Sequence, residues 1–224
     1  EALLRRLGKA PLVDDDLPPL PDGWCWDIMS NVCVKIQDGT HFSPQVQYEE
    51  PIAGYYLYIT AKNIKEHGIV LDDVTYIDEE THRENTTRCD PMKGDVLLIK
   101  DGVTTGTATV NQLDEEFTLL SSVALLRPNL KLLDPYFLKY YLNSPIGYKT
   151  ITGEMTGTAI KRIILGKIKT SIIPLPPLSE QKRIVTEIER RLSVVAEVEA
   201  VVAALLARSA RLRQAILKQA FEGK

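Results

Sequence analysis

Beyond Pro177 the spacing of apolar residues settles into a single period. Ile184, Ile188, Val195, Val198, Val202, Leu205, Leu212 and Ile216 recur, and from Val195 the steps alternate three and four residues, with Ser209 completing the series. That is heptad spacing, the seam by which helices pack side by side. Val201, Leu206 and Leu217 widen the stripe, and neither Gly nor Pro intervenes before Gly223. Ser179 is expected to cap the element and Glu180 to favour the positive end of its dipole. The pattern therefore predicts one helix over residues 180–221, about 63 Å long at a rise of 1.5 Å per residue. A helix so long and so apolar along one stripe needs a partner helix, from a second copy or from a further part of the chain. The plainer alternative folds it back along its own domain.

Upstream the period shortens. "YYLYIT" (55–60), "DVLLIK" (95–100), "TATV" (107–110), "SSVALLRP" (121–128) and "TSIIPLP" (170–176) are short, rich in β-branched and aromatic residues, and separated by Gly, Asp and Asn. These features predict strands. "DPYFLKYYLNS" (134–144) begins with an Asp cap and a Pro in the first turn, which predicts a helix. "GTAIKRIILGKI" (157–168) fits a short helix or a strand equally. The fold class expected is α+β: a mixed, mainly β domain followed by one long C-terminal helix.

Two proline-rich stretches bracket this domain, "DLPPLPDGWCW" (16–26) and "IPLPPLSEQ" (173–181). Proline cannot donate to a strand ladder and restrains the residue before it from the α region. The second stretch is expected to end the sheet, stiffen the joint and set the departure of the helix. A P-x-x-P ligand is disfavoured because the stretch lies between two structured elements. The expected organisation is residues 1–17 as a linker or the tail of a preceding helix, 18–173 as the β-rich domain, and 174–224 as hinge and long helix.

Composition adds exclusions. Of the 224 residues 44% are hydrophobic and 25% charged, which is ordinary globular usage. Cys25, Cys33 and Cys89 show no C-x-x-C spacing, and His41, His67 and His82 form no H-E-x-x-H. Free thiols in a reducing cytoplasm and no metal site are expected. The net charge of −3 argues against a uniformly basic nucleic-acid binder, but charge is unevenly distributed. Residues 66–95 carry nine acidic against three basic side chains, whereas 149–170 carry five basic against one acidic, as do 208–224. Local basic patches on an acidic protein suit a specific anionic partner; solvated surface is the alternative.

Catalytic motifs are incomplete. "LDPYF" lacks the second proline of the D-P-P-Y found in amino-methyltransferases. "DGVTTGTA" lacks the glycine spacing and the Lys-Ser/Thr of a phosphate-binding loop. No G-x-S-x-G elbow occurs. No catalytic centre is expected.

"LPPLPDGWCW", "IQDGTHFSP", "GDVLLIKDGVTTGTA", "LDPYFLKYYLNS", "GTAIKRI" and above all "IPLPPLSEQKRIV" resemble, in this order, the specificity (S) subunit of type I restriction–modification systems. The likeness runs from about Leu17 to Gly223, and the proline stretch leading through Glu-Gln into a long helix is its most specific part. The resemblance implies a target recognition domain and a conserved helix pairing antiparallel with a like helix in a coiled coil. It further implies that the chain reads one half of a bipartite double-stranded DNA target in a cytoplasmic host-defence and DNA-methylation system. Methyltransferase (M) subunits are the implied direct partners and restriction (R) subunits indirect ones. No cofactor is expected on this chain; S-adenosylmethionine, ATP and Mg belong to those partners. The family carries two such domains, so this chain is expected to be the C-terminal half of an S subunit or a half-sized S protein that dimerises. The alternative is a coiled-coil DNA-binding regulator or adaptor acting without methyltransferase subunits.

The candidate DNA-reading residues come from polar loops. Thr40 and His41 follow a turn glycine and either reach base edges or phosphate, or hold a structural turn. Lys62 and Asn63 suit guanine and adenine edges, or form an ordinary surface loop. Lys100, Thr104 and Thr105 belong to a Gly-flanked loop or a plain hairpin turn. Thr156, Thr158, Lys161 and Arg162 combine backbone donors with two cations, either for phosphate or as a salt-bridged face. The helix-pairing candidates are Ile188, Val195, Val198, Val202, Leu205, Leu212 and Ile216.

Overall fold

The computed structural model describes residues 17–153 and 162–223. The chain divides into two compact units, Glu1–Lys182 and Arg183–Lys224. The first opens with β1 (Cys25–Ile28), α1 (Met29–Val32) and β2 (Cys33–Asp38). After residues 39–55 come β3 (Tyr56–Ile59), a 3-10 turn (Ala61–Asn63), β4 (Ile64–Lys65), β5 (Gly68–Ile69) and β6 (Thr75–Ile77). Then follow α2 (Glu79–Thr86), β7 (Val96–Ile99), β8 (Ala108–Val110), β9 (Phe117–Leu119) and β10 (Val123–Pro128). The series closes with α3 (Pro135–Asn143), α4 (Pro145–Thr152), α5 (Leu165–Thr170), β11 (Ile172–Leu175) and α6 (Leu178–Glu222). The class is mixed α+β, with short strands preceding one long helix, as the hydrophobic patterning predicts.

The central sheet runs β2-β10-β7-β8, every pair antiparallel. All four residues of β7 are buried, so it is covered on both faces and reads as an unbroken apolar run rather than an alternation. Leu97 and Ile99 of β7 and Val123 and Leu125 of β10 join Leu57, Ile59, Phe117 and Leu119 in one core cluster. Those last four come from β3 and β9, parallel partners in a second sheet of order β6-β3-β9. Helix α3 packs against β7 and β8. Its last residue, Asn143, closes the β8 edge by accepting from the Ala108 N–H and donating to the Ala108 carbonyl, each at 2.8 Å. Capping fixes where α3 starts, because the Asp134 carboxylate accepts from the N–H groups of Tyr136 and Phe137.

Helix α5 (Leu165–Thr170) takes in the end of the ambiguous "GTAIKRIILGKI" stretch. The second proline stretch ends the sheet from within: β11 passes through Pro174, which pairs with Trp26 of β1, and stops at Leu175. A two-stranded sheet is all edge, so the missing N–H costs no interior ladder bond. Ser179 is not the helix cap. The helix begins at Leu178, where the Pro177 carbonyl accepts from Glu180 N–H at 2.8 Å and Gln181 N–H at 3.0 Å.

The joint itself is built from "SEQ". Gln181 is wholly buried; its Oε1 accepts from the Asp134 N–H at 2.8 Å. Its Nε2 donates to the carbonyls of Leu132 at 2.8 Å and Pro176 at 2.9 Å. Trp24 adds a hydrogen bond to the Glu180 carboxylate at 3.2 Å. One glutamine thus ties the first turn of α6 to the cap of α3 and to the proline stretch. Further along α6, Val195, Val198, Val202, Leu205, Leu212 and Ile216 each expose half or more of their surface, Val202 marginally less, and Ile188 is half-buried. Among the described residues no helix is long and apolar enough to cross a membrane.

Candidate nucleic-acid interface

β2 and β7 both run antiparallel to β10, so their C-terminal ends emerge at one rim of the central sheet, where β10 begins. Backbone hydrogen bonds stitch this rim together. The Leu119 carbonyl accepts from Thr40 N–H, the Thr40 carbonyl from Ser121 N–H, and the Ser122 carbonyl from Lys100 and Asp101. Ile163 N–H then donates to the Lys100 carbonyl at 2.7 Å, bringing in the segment that carries Arg162. Four separate stretches, 39–42, 100–106, 120–122 and 162–163, therefore share one edge.

The charges at this rim are organised around Asp38, the last residue of β2. Its carboxylate accepts from Arg88 Nη2 at 2.6 Å and lies 3.5 Å from Lys100 Nζ. Lys100 Nζ is also 3.7 Å from Asp101, whose carboxylate in turn holds Arg162 Nε at 3.3 Å. Arg88 Nη2 lies 3.0 Å from His41 Nε2. The same Nε2 is 3.6 Å from the Asp38 carboxylate, so His41 joins the cluster. Burial pushes the Asp38 carboxyl up, but the Arg88 hydrogen bond and the charges of Lys100, His41 and Arg88 outweigh it and hold the group below its ordinary value. Three cations against two carboxylates leave the rim positive, with the Arg88 and Arg162 side chains exposed.

The structure separates the sequence candidates into two kinds. His41, Thr104 and Arg162 are exposed at the rim, and Lys62 is exposed on the 3-10 turn. Thr40, Asn63, Lys100 and Thr105 are buried and committed to the fold. Thr40 Oγ1 clasps its own loop, accepting from Phe42 N–H and donating to the Phe42 carbonyl. Asn63 Oδ1 accepts from Thr60 N–H at 3.0 Å while its Nδ2 donates to the Val70 carbonyl at 3.2 Å. Thr105 Oγ1 closes a turn onto the Gly102 carbonyl at 2.7 Å. Thr156, Thr158 and Lys161 lie outside the described residues. Arg88 escaped the sequence reading because it stands in the acidic stretch and reaches a partner fifty residues away.

A second concavity has the opposite character. A cleft of about 520 Å³ beside α2 is lined by Arg83 and Lys93 but also by Asp90, Asp114, Glu115 and Glu116. The excess of carboxylates makes it unsuited to phosphate. His82 is buried at its base, stacked on Tyr56 with ring centroids 3.8 Å apart, and Nδ1 is 2.9 Å from Thr118 Oγ1. Burial lowers its pKa below the ordinary value although Glu116 opposes the shift. Among the described residues no group of three or more His, Cys, Asp or Glu is arranged to hold a metal ion.

A β-rich recognition-type domain with a positive, loop-built rim, followed by a long heptad helix, defines a class of DNA specificity modules. The family model described as type I restriction modification DNA specificity domain matches residues 34–193, and the chain belongs to that family. It is 26% identical over 205 residues to the Escherichia coli type I restriction enzyme EcoBI specificity subunit, covering 92% of this chain and 42% of that protein. It is 29% identical over 142 residues to the Methanocaldococcus jannaschii MjaVIII specificity subunit, covering 63% and 30%. A solved chain from work on complex assembly and conformational transition of the type I R-M system superposes with a TM-score of 0.72 at 26% identity, covering 93% of this chain and 48% of that one. The HsdS subunit from Thermoanaerobacter tengcongensis shares the fold, with a TM-score of 0.59 at 22% identity and coverage of 83% and 46%. The chain thus spans less than half the length of each of these relatives.

Proposed function

We propose that this chain is a non-catalytic DNA-reading unit of a type I restriction–modification complex. It recognises one half of a bipartite duplex target and directs methyltransferase subunits, and through them restriction subunits, to that site. The observation that carries this reading is the extent of the family match: residues 34–193 run from β2 to the early turns of α6, taking in both the rim and the helix joint. At the rim, Arg88 and Arg162 meet phosphates and set register, while exposed loop side chains such as His41 and Thr104 read base edges. Methyl transfer and cleavage belong to the partners, with S-adenosylmethionine, ATP and magnesium bound there.

The helix supplies the geometry. At 45 residues α6 is about 67 Å long, close to two turns of B-DNA at about 34 Å each. A like helix laid antiparallel along the heptad seam buries the exposed valines and leucines. Two recognition domains at a fixed offset then face the duplex in pseudo-twofold relation.

Methylation mapping in cells carrying the system tests the reading. A split motif is expected, and it disappears when the chain is deleted and returns on complementation. Methylation unchanged by the deletion overturns it. So does tight specific DNA binding by the purified chain without methyltransferase subunits, the behaviour of a self-sufficient regulator.

A further inference from the structure

Phe42 is 84% exposed, although its own N–H and carbonyl are both bonded to the Thr40 hydroxyl. Gly39 leaves no room for a side chain, since a Cβ there would meet the Leu119 carbonyl oxygen at 1.9 Å. Thr40, buried, anchors to Leu119 and Ser121 through its main chain and grips both polar atoms of the Phe42 backbone through its hydroxyl. A loose loop could fold such a ring away, whereas this backbone is clasped with the ring in solvent. The residue lies near the start of the 39–55 connection, which is longer than structural loops normally run, and such loops carry function. Its immediate neighbour His41 is held by Arg88, and the rim carries a second apolar tip, Val103, on the turn closed by Thr105.

A lone exposed apolar residue means little. An aromatic presented from a hydrogen-bonded turn beside cations, on the rim proposed as the DNA face, has a specific use. We infer that Phe42 is an apolar wedge that enters a base step of the bound half-site and unstacks it, while Arg88 fixes the adjoining phosphate. Insertion of an aromatic or aliphatic side chain between stacked bases is an established way of bending a duplex onto a protein surface. It also gives sequence preference without a hydrogen bond, because flexible steps such as TA and CA open at least cost. The wedge therefore reads deformability where His41 and Thr104 read base edges.

The inference rests on the DNA-recognition reading, and one experiment separates the two. The full chain is assembled with its methyltransferase subunits and titrated against duplexes of its mapped motif, with 2-aminopurine replacing successive bases of the half-site. Wild-type assembly is expected to raise the fluorescence at one step. Phe42→Ala is expected to abolish that rise and weaken specific binding roughly 10- to 100-fold. Because the ring is uncharged, the dependence of affinity on salt should not change, unlike the loss of a phosphate contact. Phe42→Leu, which retains an apolar wedge, should keep most of the signal. If the wild-type assembly shows no preference for its motif, the recognition reading itself fails. If wild type discriminates and Phe42→Ala matches it in affinity and fluorescence, the wedge is wrong while the reading stands. Loss of methyltransferase subunits from the Phe42→Ala assembly would also overturn the wedge, assigning the ring to a protein contact.

Discussion

Asp38→Asn isolates the electrostatics of the rim. The substitution keeps the side chain's shape and removes one charge, leaving the Lys100 ammonium, 3% exposed, with Asp101 at 3.7 Å as its remaining carboxylate among the described residues. Two unit charges 3.5 Å apart at an effective dielectric constant near 20 attract by about 5 kcal/mol. Breaking a buried pair by removing one partner typically costs about 3–5 kcal/mol. Two features reduce that here. Asp101 still faces the ammonium, and the asparagine oxygen still accepts from Arg88, which is nearly half exposed and so screened. The expected cost is about 2–3 kcal/mol, a fall of roughly 5–10 °C in Tm for a domain of this size. Lys100→Met removes the buried ammonium and leaves Asp38 its exposed partner, so it should cost about 1 kcal/mol or less. The double variant should therefore be more stable than the sum of the singles by at least ~1.5 kcal/mol. Urea unfolding of all four proteins at pH 7, with a common slope, measures this. Additivity within about 0.5 kcal/mol would refute the idea that Asp38 and Lys100 are one buried unit. The pH dependence supplies a check on sign. A carboxyl held below its ordinary value contributes stability above pH 3.8 that is lost as pH falls through that range. That acid limb should be shallower in Asp38→Asn.

The helix joint predicts a loss out of proportion to one side chain. Gln181→Ala strands the Asp134 N–H and the carbonyls of Leu132 and Pro176, so urea unfolding should register about 3 kcal/mol; a cost below 1 kcal/mol would mean water replaces the amide freely. His82 resists protonation in the folded protein, while the unfolded chain takes up the proton below about pH 6.5. Stability should be flat above that pH and fall below it by up to ~1.4 kcal/mol per pH unit. His82→Gln should lose that slope below pH 6.5, and an unchanged slope would show that another group supplies it. Val202→Asp with Leu205→Asp places two charges in the proposed seam at positions about half exposed in the single chain. Sedimentation velocity should show loss of self-association or of pairing with a like helix, with circular dichroism unchanged. An unaltered profile would dismiss the seam.

What the sequence made legible follows from the range of the interactions involved. The long helix needed only its own residues: a sustained heptad and no Gly or Pro before Gly223. β7 likewise announced itself as a buried apolar run, and α3 by its Asp-Pro start. Helix α2, by contrast, is too polar for periodicity to find. Its signal was Asp78 accepting from Thr81 N–H with Glu79 and Glu80 in the first turn, a cap rather than an apolar stripe. The rim was hardest, because polar residues near glycines are ambiguous. Thr40, Asn63 and Thr105 are there to satisfy loop backbones, a use that only the folded hydrogen bonds disclose. Arg88 and Lys100 converge on Asp38 from distant connecting segments, so no local window contains the cluster.

That division bears on how specificity is built. The side chains that fix the rim are buried and bonded, so changing them costs stability before it changes recognition. The side chains free to vary are exposed ones such as Phe42, Val103 and Thr104. On the proposed DNA-reading role of the rim, this separation lets reading residues be exchanged while Gly39, Thr40, Asp38 and Lys100 keep the loops in place. The same logic explains the joint. Gln181 binds main-chain atoms only, so the start of the helix is indifferent to the loop side chains and its register survives their replacement.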